Sequence, residues 1–278
     1  MSHPLGIPES DRPTTLIAGA GDVGQRLAQL RASRGDAVLA LRRRPLAAAA
    51  GVHNVSADLI SGEGLASLPR AVDAIVFCAA PDHRDEATYR ALFVDGLQRL
   101  VDTVDARRVV FVSSTAVYGE VEGEWVDEAT PARPPAFNGR VLHEAEHRAQ
   151  LHAGGTALRL SGLYGPGRGA LLRRARAGTP GRPHWTNRIH VDDAATALSH
   201  LLDLSDIEPV YCGTDDVPAL EHELFAWIRD AEGLPPVPAE RGPVSGRRVS
   251  NARLRASGWQ PRHADFRSGY ASLVMREA

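Results

Sequence analysis

The chain has 278 residues, 43% of them hydrophobic and 24% charged, with a formal net charge of −2. This is ordinary globular composition, enough for one large domain or two lobes, and the balanced charge argues against a general nucleic-acid or membrane-surface binder. Its two cysteines, Cys78 and Cys212, lie inside apolar runs, which fits a reducing, cytoplasmic compartment and excludes a disulfide scaffold.

Residues 1–13 lack the charged and apolar regions of a signal peptide and read as a loose tail. No apolar run approaches the ~20 residues of a membrane span. The first ordered stretch is an apolar, β-branched run over 14–18 that meets Gly19-Ala20-Gly21-Asp22-Val23-Gly24, a G-x-G-x-x-G sequence. Val23, Leu27 and Leu30 then follow helical spacing up to Gly35, and 37–41 is a second strand. Strand, glycine turn, helix and strand form a dinucleotide-binding unit. Gly19 allows the tight turn, Gly21 removes a Cβ that would block a pyrophosphate, and Gly24 lets helix and strand pack closely. The helix start at Asp22 and Val23 offers N–H groups and a positive dipole end to phosphates.

The end of the second strand selects the cofactor. An NAD site has an acid about 20 residues beyond the glycines. Here the strand ends in Leu41-Arg42-Arg43-Arg44, and the first acid beyond it is Asp58. Arg42 and Arg43 can fork onto a 2′-phosphate, which favours NADP over NAD. A third strand over 52–57 ends at Asp58 and Leu59, expected beside the adenine. The apolar run 71–80 reads as a parallel strand buried on both faces, and Ala79, Ala80 and Pro81 at its end would pass the middle of the cofactor. A helix over 87–104 and a strand over 107–112 continue the alternation. The expected fold is α/β, a doubly wound parallel Rossmann sheet with a smaller C-terminal substrate lobe.

Further on come a strand over 156–160, a Gly- and Arg-rich segment over 162–183, and a strand over 188–191. A helix over 192–204, a strand over 209–213 and helices over 220–230 and 266–275 follow. The expected division places residues 12–162 and 188–213 in the NADP-binding domain, and 163–187 and 214–278 in the substrate lobe.

The segment Ser113-Ser114-Thr115-Ala116-Val117-Tyr118-Gly119 resembles the S-S-x-x-V-Y-G motif of the extended short-chain dehydrogenases/reductases, the nucleotide-sugar epimerase and dehydratase group. Leu158-Arg159-Leu160-Ser161-Gly162-Leu163-Tyr164-Gly165-Pro166-Gly167 and Arg188-Ile189-His190-Val191-Asp192-Asp193 extend the resemblance, which covers about residues 14–272. The family's Y-x-x-x-K pair is missing. Aligning Phe137-Asn138-Gly139-Arg140-Val141 puts Asn138 at the tyrosine and Leu142 at the lysine, wording similar to the atypical YeeZ-type subgroup. An amide is no acid–base catalyst, so the family's alcohol–ketone chemistry does not carry over residue by residue.

What the resemblance implies is an NADP-dependent oxidoreductase or epimerase-like enzyme for a small polar metabolite, neutral or anionic, with Ser114, Thr115 and Asn138 orienting it and Tyr118 as a candidate acid. Loop packing is the competing role for Tyr118. Tyr164, Arg168, Arg188 and His190 are expected at the substrate. Arg173, Arg174, Arg176 and Arg182 either join them or form a solvated helix face. Two other readings stay open: a non-catalytic NADP(H) sensor, and a redox-neutral isomerase or cyclase with structural NADP. His143-Glu144-Ala145-Glu146-His147 is literally H-E-x-x-H, but it falls inside the helix after the active-site loop, so no metal is expected. Asp192 is expected to cap the following helix. The partners expected are a small molecule and, by resemblance, a second copy of the chain.

Overall fold

A computed structural model describes residues 12–44, 47, 49–152 and 154–274. The expected tail over 1–11 and Met275, the expected end of the last helix, lie outside the described residues. The chain divides into two compact units. One comprises residues up to Val117 with Arg133–Arg159 and Ala195–Tyr211; the other comprises Tyr118–Ala132, Leu160–Ala194 and the chain from Cys212 onward.

The strands in chain order are β1 (Thr14–Ala18), β2 (Ala37–Arg42), β3 (Val52–Ser56), β4 (Ala71–Phe77), β5 (Asp105–Ser114), β6 (Glu122–Val126), β7 (Gly155–Leu160), β8 (Gly162–Tyr164), β9 (His184–Thr186), β10 (Arg188–His190), β11 (Val210–Gly213), β12 (Ala219–Leu220) and β13 (Ser245–Val249). A seven-stranded sheet runs β11-β7-β5-β4-β1-β2-β3, and the ladders joining β1 to β2 and β4, β2 to β3, and β4 to β5 are parallel. This is the expected doubly wound Rossmann sheet. Leu16, Ile17, Ile75, Val76 and Phe77 are fully buried, as strands covered on both faces require.

The helices are α1 (Asp22–Ser33), α2 (Glu86–Tyr89), α3 (Leu97–Thr103), α4 (Phe137–Gln150), α5 (Ala170–Arg176), α6 (Val191–Asp203), α7 (Glu221–Ala231), α8 (Ala252–Ala256) and α9 (Phe266–Val274). In α1, Val23, Gly24, Leu27 and Ala28 face the sheet, and Gly35, at φ +99°, turns the chain into β2. The helix expected over 87–104 is wound as α2, a π-helical stretch Arg90–Gly96, and α3. A Cβ on Gly96 would come within 3.1 Å of the Leu59 carbonyl, which also accepts from Arg99 Nη1 at 2.6 Å.

The second unit contains a four-stranded sheet, β12-β9-β13-β6, and the pair β10-β8. Its core gathers Leu172, Leu224, Phe225, Ile228, Phe266 and Tyr270 from α5, α7 and α9. The boundary therefore falls elsewhere than the sequence suggests. Residues 118–132 join this unit because β6 pairs with β13, and 188–194 join it because β10 pairs with β8.

Candidate functional site

In the first unit β1 delivers the chain into the glycine turn. Gly19 sits at φ +94°, and a Cβ there would lie 2.3 Å from Ala79 Cα. A Cβ on Gly24 would meet the Gly19 carbonyl at 2.8 Å and Cys78 Sγ at 3.0 Å. These two glycines are demanded by the protein's own packing. Gly21 is not: the nearest atom to its would-be Cβ is the Gly19 carbonyl at 4.0 Å. The space above it is open, and Gly21, the N-cap of α1, brings no capping side chain to the first turn. A pyrophosphate fits that cradle, because the helix start supplies N–H donors where a side chain would otherwise stand. Asp22 turns aside to Arg26, with Oδ1 accepting from Nε at 2.9 Å.

The strand ends beside this turn behave individually. Arg42 Nη1 donates to the Ala20 carbonyl at 3.4 Å. Arg43 is held by Asp82, Nη2 to Oδ1 at 2.7 Å, so a 2′-phosphate there would compete with an existing ion pair. Asp58 Oδ1 accepts from the Ile60 and Ser61 amides at 2.7 and 3.3 Å, shaping the turn that presents Leu59. Ala79, Ala80 and Pro81 follow β4, which ends at Phe77.

Also in the first unit, β5 ends at Ser114. Its Oγ accepts from the Ala116 amide at 3.1 Å, and no described residue accepts its hydroxyl proton. The adjacent turn Thr115–Val117 packs against the start of α4 at Gly139, where a Cβ would lie 2.4 Å from the Ala116 carbonyl. That approach brings Asn138 to the same neighbourhood, and its carboxamide hydrogen-bonds no described residue. Leu142, one turn on, is 6% exposed, a packed apolar side chain where an acid–base pair would need a cation. Below it Glu146, 1% exposed, accepts from Ser113 Oγ at 2.5 Å and from Arg159 Nε and Nη2 at 3.0 and 2.7 Å. Burial pushes its carboxyl up, but hydrogen bonds from His143, Arg159 and Ser113 together hold it below the usual carboxylate range.

The H-E-x-x-H sequence is helical, as expected. Its two histidines face each other, Nε2 to Nε2 at 3.2 Å. Glu144, the residue that would activate water in such a motif, is instead held by both terminal nitrogens of Arg90, at 3.0 and 2.8 Å.

In the second unit Tyr118 is fully buried. Its hydroxyl donates to the Asp127 carbonyl at 2.6 Å and lies 3.1 Å from Cys212 Sγ. Arg247 Nη1 donates to its carbonyl. This corrects the candidate acid role in favour of loop packing. Glu124, an acid in the same loop, accepts from the Glu122 amide at 2.8 Å.

Three of the four expected substrate residues, Tyr164, Arg168 and Arg188, line one cavity of about 450 Å³, together with Arg173 and Tyr270. His190 does not line it. Its ring packs edge-on against Tyr164 at 5.3 Å and lies 3.9 Å from His263, and its Nδ1 accepts from the Asp192 amide at 3.2 Å. His190 thus performs the capping expected of Asp192, because α6 begins at Val191 and leaves both aspartates inside its first turn. Asp193 instead accepts from the Arg262 and His263 amides at 2.8 and 3.0 Å. The arginine-rich segment splits. Arg174 and Arg182 bind Glu221, and Arg176 binds Glu232, whereas Arg168, Arg173 and Arg188 face the cavity.

Sequence reasoning missed Asp215 and Tyr270. Asp215 is 2% exposed, and neither of its carboxylate oxygens has a hydrogen-bond partner. Burial pushes its pKa up to about 8, against the pull of Arg188. Tyr270 stacks on Tyr164 at 4.6 Å and buries its hydroxyl unpaired. The only signal for the pair of tyrosines was Gly269, whose would-be Cβ would overlap the Tyr164 hydroxyl at 1.7 Å.

Protein YeeZ of Escherichia coli K12 is 38% identical over 115 residues, 40% of this chain and 42% of YeeZ, so the match spans less than half of that relative. A solved Methylobacillus flagellatus protein, described as an NAD-dependent epimerase/dehydratase, is 37% identical, covers 94% of this chain and 97% of its own, and superposes with a TM-score of 0.83. The human epimerase family protein SDR39U1, solved with NADPH, shares the fold at 22% identity and a TM-score of 0.74, over 95% of this chain and 99% of its own. The sequence model of the NAD dependent epimerase/dehydratase family matches residues 15–211. The chain belongs to the NAD dependent epimerase/dehydratase family.

Proposed function

We propose that this chain is an NADP-dependent oxidoreductase or epimerase-like enzyme acting on a small polar metabolite, with Asn138 and Leu142 in place of the usual tyrosine and lysine. The observation that carries the reading is Gly21. Among the described residues no atom comes closer than 4.0 Å to a Cβ there, so what excludes a side chain is a ligand laid across the start of α1. Arg42 and Arg43 at the end of β2 support the phosphorylated cofactor, as does the NADPH held by the human relative of the same fold.

When bound, the nicotinamide supplies or accepts hydride. The Ser114 hydroxyl, fixed at its oxygen by the Ala116 amide, has its proton left to donate to a substrate oxygen. The Asn138 amide adds a second neutral donor. Such donors stabilise developing negative charge by a few kcal/mol but deliver no proton, so the proton comes from water or from the substrate itself. The competing reading, an NADP(H) sensor without turnover, draws on buried Leu142. A homodimer remains part of the proposal, with Leu151 just beyond α4 left 85% exposed; light scattering of the purified protein checks it. Among the described residues no helix is long and apolar enough to cross a membrane.

Gly21→Ala is the test. Its expected outcome is an apo-protein melting within about 0.5 kcal/mol of wild type and at least tenfold weaker binding of NADP(H) by titration. Unchanged affinity would overturn the placement of the cofactor. Tight binding by wild type with no change in nicotinamide absorbance across carbonyl and cyclic-imine substrates would favour the sensor.

A further inference from the structure

The cavity in the second unit is unusual in what its polar side chains lack. Thr186 and Asn187 are the wall residues with side-chain acceptors besides the tyrosine hydroxyls. The Thr186 hydroxyl accepts from Arg188 Nη2 and donates to the Ala219 carbonyl. The Asn187 carboxamide bridges the Arg247 carbonyl and the Val249 amide, at 2.8 and 2.7 Å. What the wall leaves open is on the donor side. Arg188 is 2% exposed, yet its Nε and Nη1 have no acceptor, and the buried Tyr270 hydroxyl has no partner. Arg173 adds a further guanidinium on the solvent side. Among the described residues no carboxylate lines the cavity. The Arg188 ring neighbour is Phe266, 5.6 Å from the guanidinium carbon, which offers a π face and no oxygen.

A buried guanidinium with open N–H groups costs several kcal/mol unless something supplies acceptors. Asp215, a buried acid within electrostatic reach of Arg188, is hydrogen-bonded to it through the backbone, its amide donating to the Arg188 carbonyl at 2.7 Å. Its carboxylate oxygens make no bond to the guanidinium. An acceptor entering from the cavity would complete these donors, and the cavity volume is that of a small-molecule site.

We propose that this cavity binds a small oxyanion, the carboxylate or phosphate end of the substrate, on the Arg188 guanidinium and the Tyr270 hydroxyl, with Arg168 and Arg173 adding positive charge around it. Calling the oxyanion part of a substrate rests on the enzyme reading above; the binding itself does not. Charge-assisted hydrogen bonds to a desolvated arginine are the strong kind, and a ligand that binds only the folded state raises its melting temperature.

The experiment is calorimetric titration of the full chain with malonate and, separately, with inorganic phosphate at constant ionic strength, with NADP(H) titrated in parallel. The expected result is saturable one-to-one binding of at least one anion, with a rise in melting temperature. Saturation by malonate alone assigns a carboxylate, and by phosphate alone a phosphate. Arg188→Met should weaken the anion at least tenfold. Because a buried arginine can matter to folding, Tyr270→Phe is the second variant. It removes only an unpaired hydroxyl, so melting should hold while anion affinity falls several-fold. Arg182→Gln, which sits on Glu221 instead, should leave affinity within twofold. Wild-type protein that binds NADP(H) but neither anion would overturn the oxyanion site and leave the cofactor reading standing. Binding that survives both Arg188→Met and Tyr270→Phe would overturn it too. Anion binding without NADP(H) binding would instead remove the enzyme reading and keep the site.

Discussion

Two clusters of buried charge, one in each unit, are treated in opposite ways. In the first, Arg31, 7% exposed, donates to Asp36 at 2.7 Å and to Asp203 at 2.5 Å, and Asp36 also accepts from Thr15. Glu146 is enclosed just as fully by Ser113, Arg159 and His143. In the second unit Arg188, Asp215 and Tyr270 are buried to a similar degree with polar atoms unmatched. Matched buried charge fixes a scaffold, and unmatched buried charge is costly unless a ligand completes it. The contrast separates the part of the chain that holds its shape unaided from the part organised to receive something.

Removing one partner from the matched network should produce the largest effect. Glu146→Ala strips the buried Arg159 guanidinium of two charge-assisted hydrogen bonds. Such losses cost about 3–5 kcal/mol, so the denaturant midpoint should fall sharply, with the m-value unchanged if two-state unfolding is kept. A loss below about 1 kcal/mol would mean that the network is not a structural tie. The same network loses strength in acid. The Glu146 carboxyl is held below its unfolded value, so its contribution is full above pH ~5 and declines as pH falls through the folded pKa.

The unmatched set should respond with the opposite sign. The Asp215 carboxyl is pushed up to about 8, from an unfolded value near ~3.9. Between those values the folded state retains a proton that the unfolded chain has released, so this group makes the protein less stable as pH rises from ~4 to ~8. Asp215→Asn copies the protonated form. At pH 5 it should melt close to wild type, and at pH 9 it should be more stable by about 2 kcal/mol. The gain stays below the full linkage value because an ionised carboxylate can relax towards Arg188. A thermal-melt series across pH checks this, and a variant less stable than wild type at pH 9 would show that Asp215 ionises at no cost.

The same contrast decides what could be read from the sequence. The cradle was legible because its signals are local: an apolar run, glycines at fixed spacing, a helical stripe, and arginines at a strand end. Arg168, Arg188 and Tyr164 were legible as types suited to a substrate loop, and the structure places them on one cavity wall. Their unmatched partners were not, because Tyr270 is brought to Tyr164 by α9 from more than a hundred positions away. Asp193 gave no sign in the sequence of what it binds, and it serves amides 69 and 70 residues onward. Gly139 looked like part of a motif, and only its 2.4 Å approach to the Ala116 carbonyl shows what it permits. Periodicity reports which face of an element is buried and says nothing about which distant group it meets.

The smallest expected effect sharpens the cofactor side of the contrast. Of the two arginines expected at the 2′-phosphate, Arg43 has a carboxylate partner, Asp82, and both side chains are half exposed. An exposed pair of this kind is worth no more than about 1 kcal/mol, so it is a competitor that a 2′-phosphate can displace. Asp82 lies just past Pro81, in the segment expected along the cofactor. Asp82→Asn keeps the shape, removes the competing charge and lowers the negative potential where two phosphates must settle. NADP(H) affinity should therefore rise by about two- to fivefold at low salt and by less at high salt, while NAD(H), which lacks the 2′-phosphate, gains less. A titration in which both nucleotides gain equally would place Asp82 near the shared pyrophosphate instead, and would leave the choice between the two cofactors to Arg42.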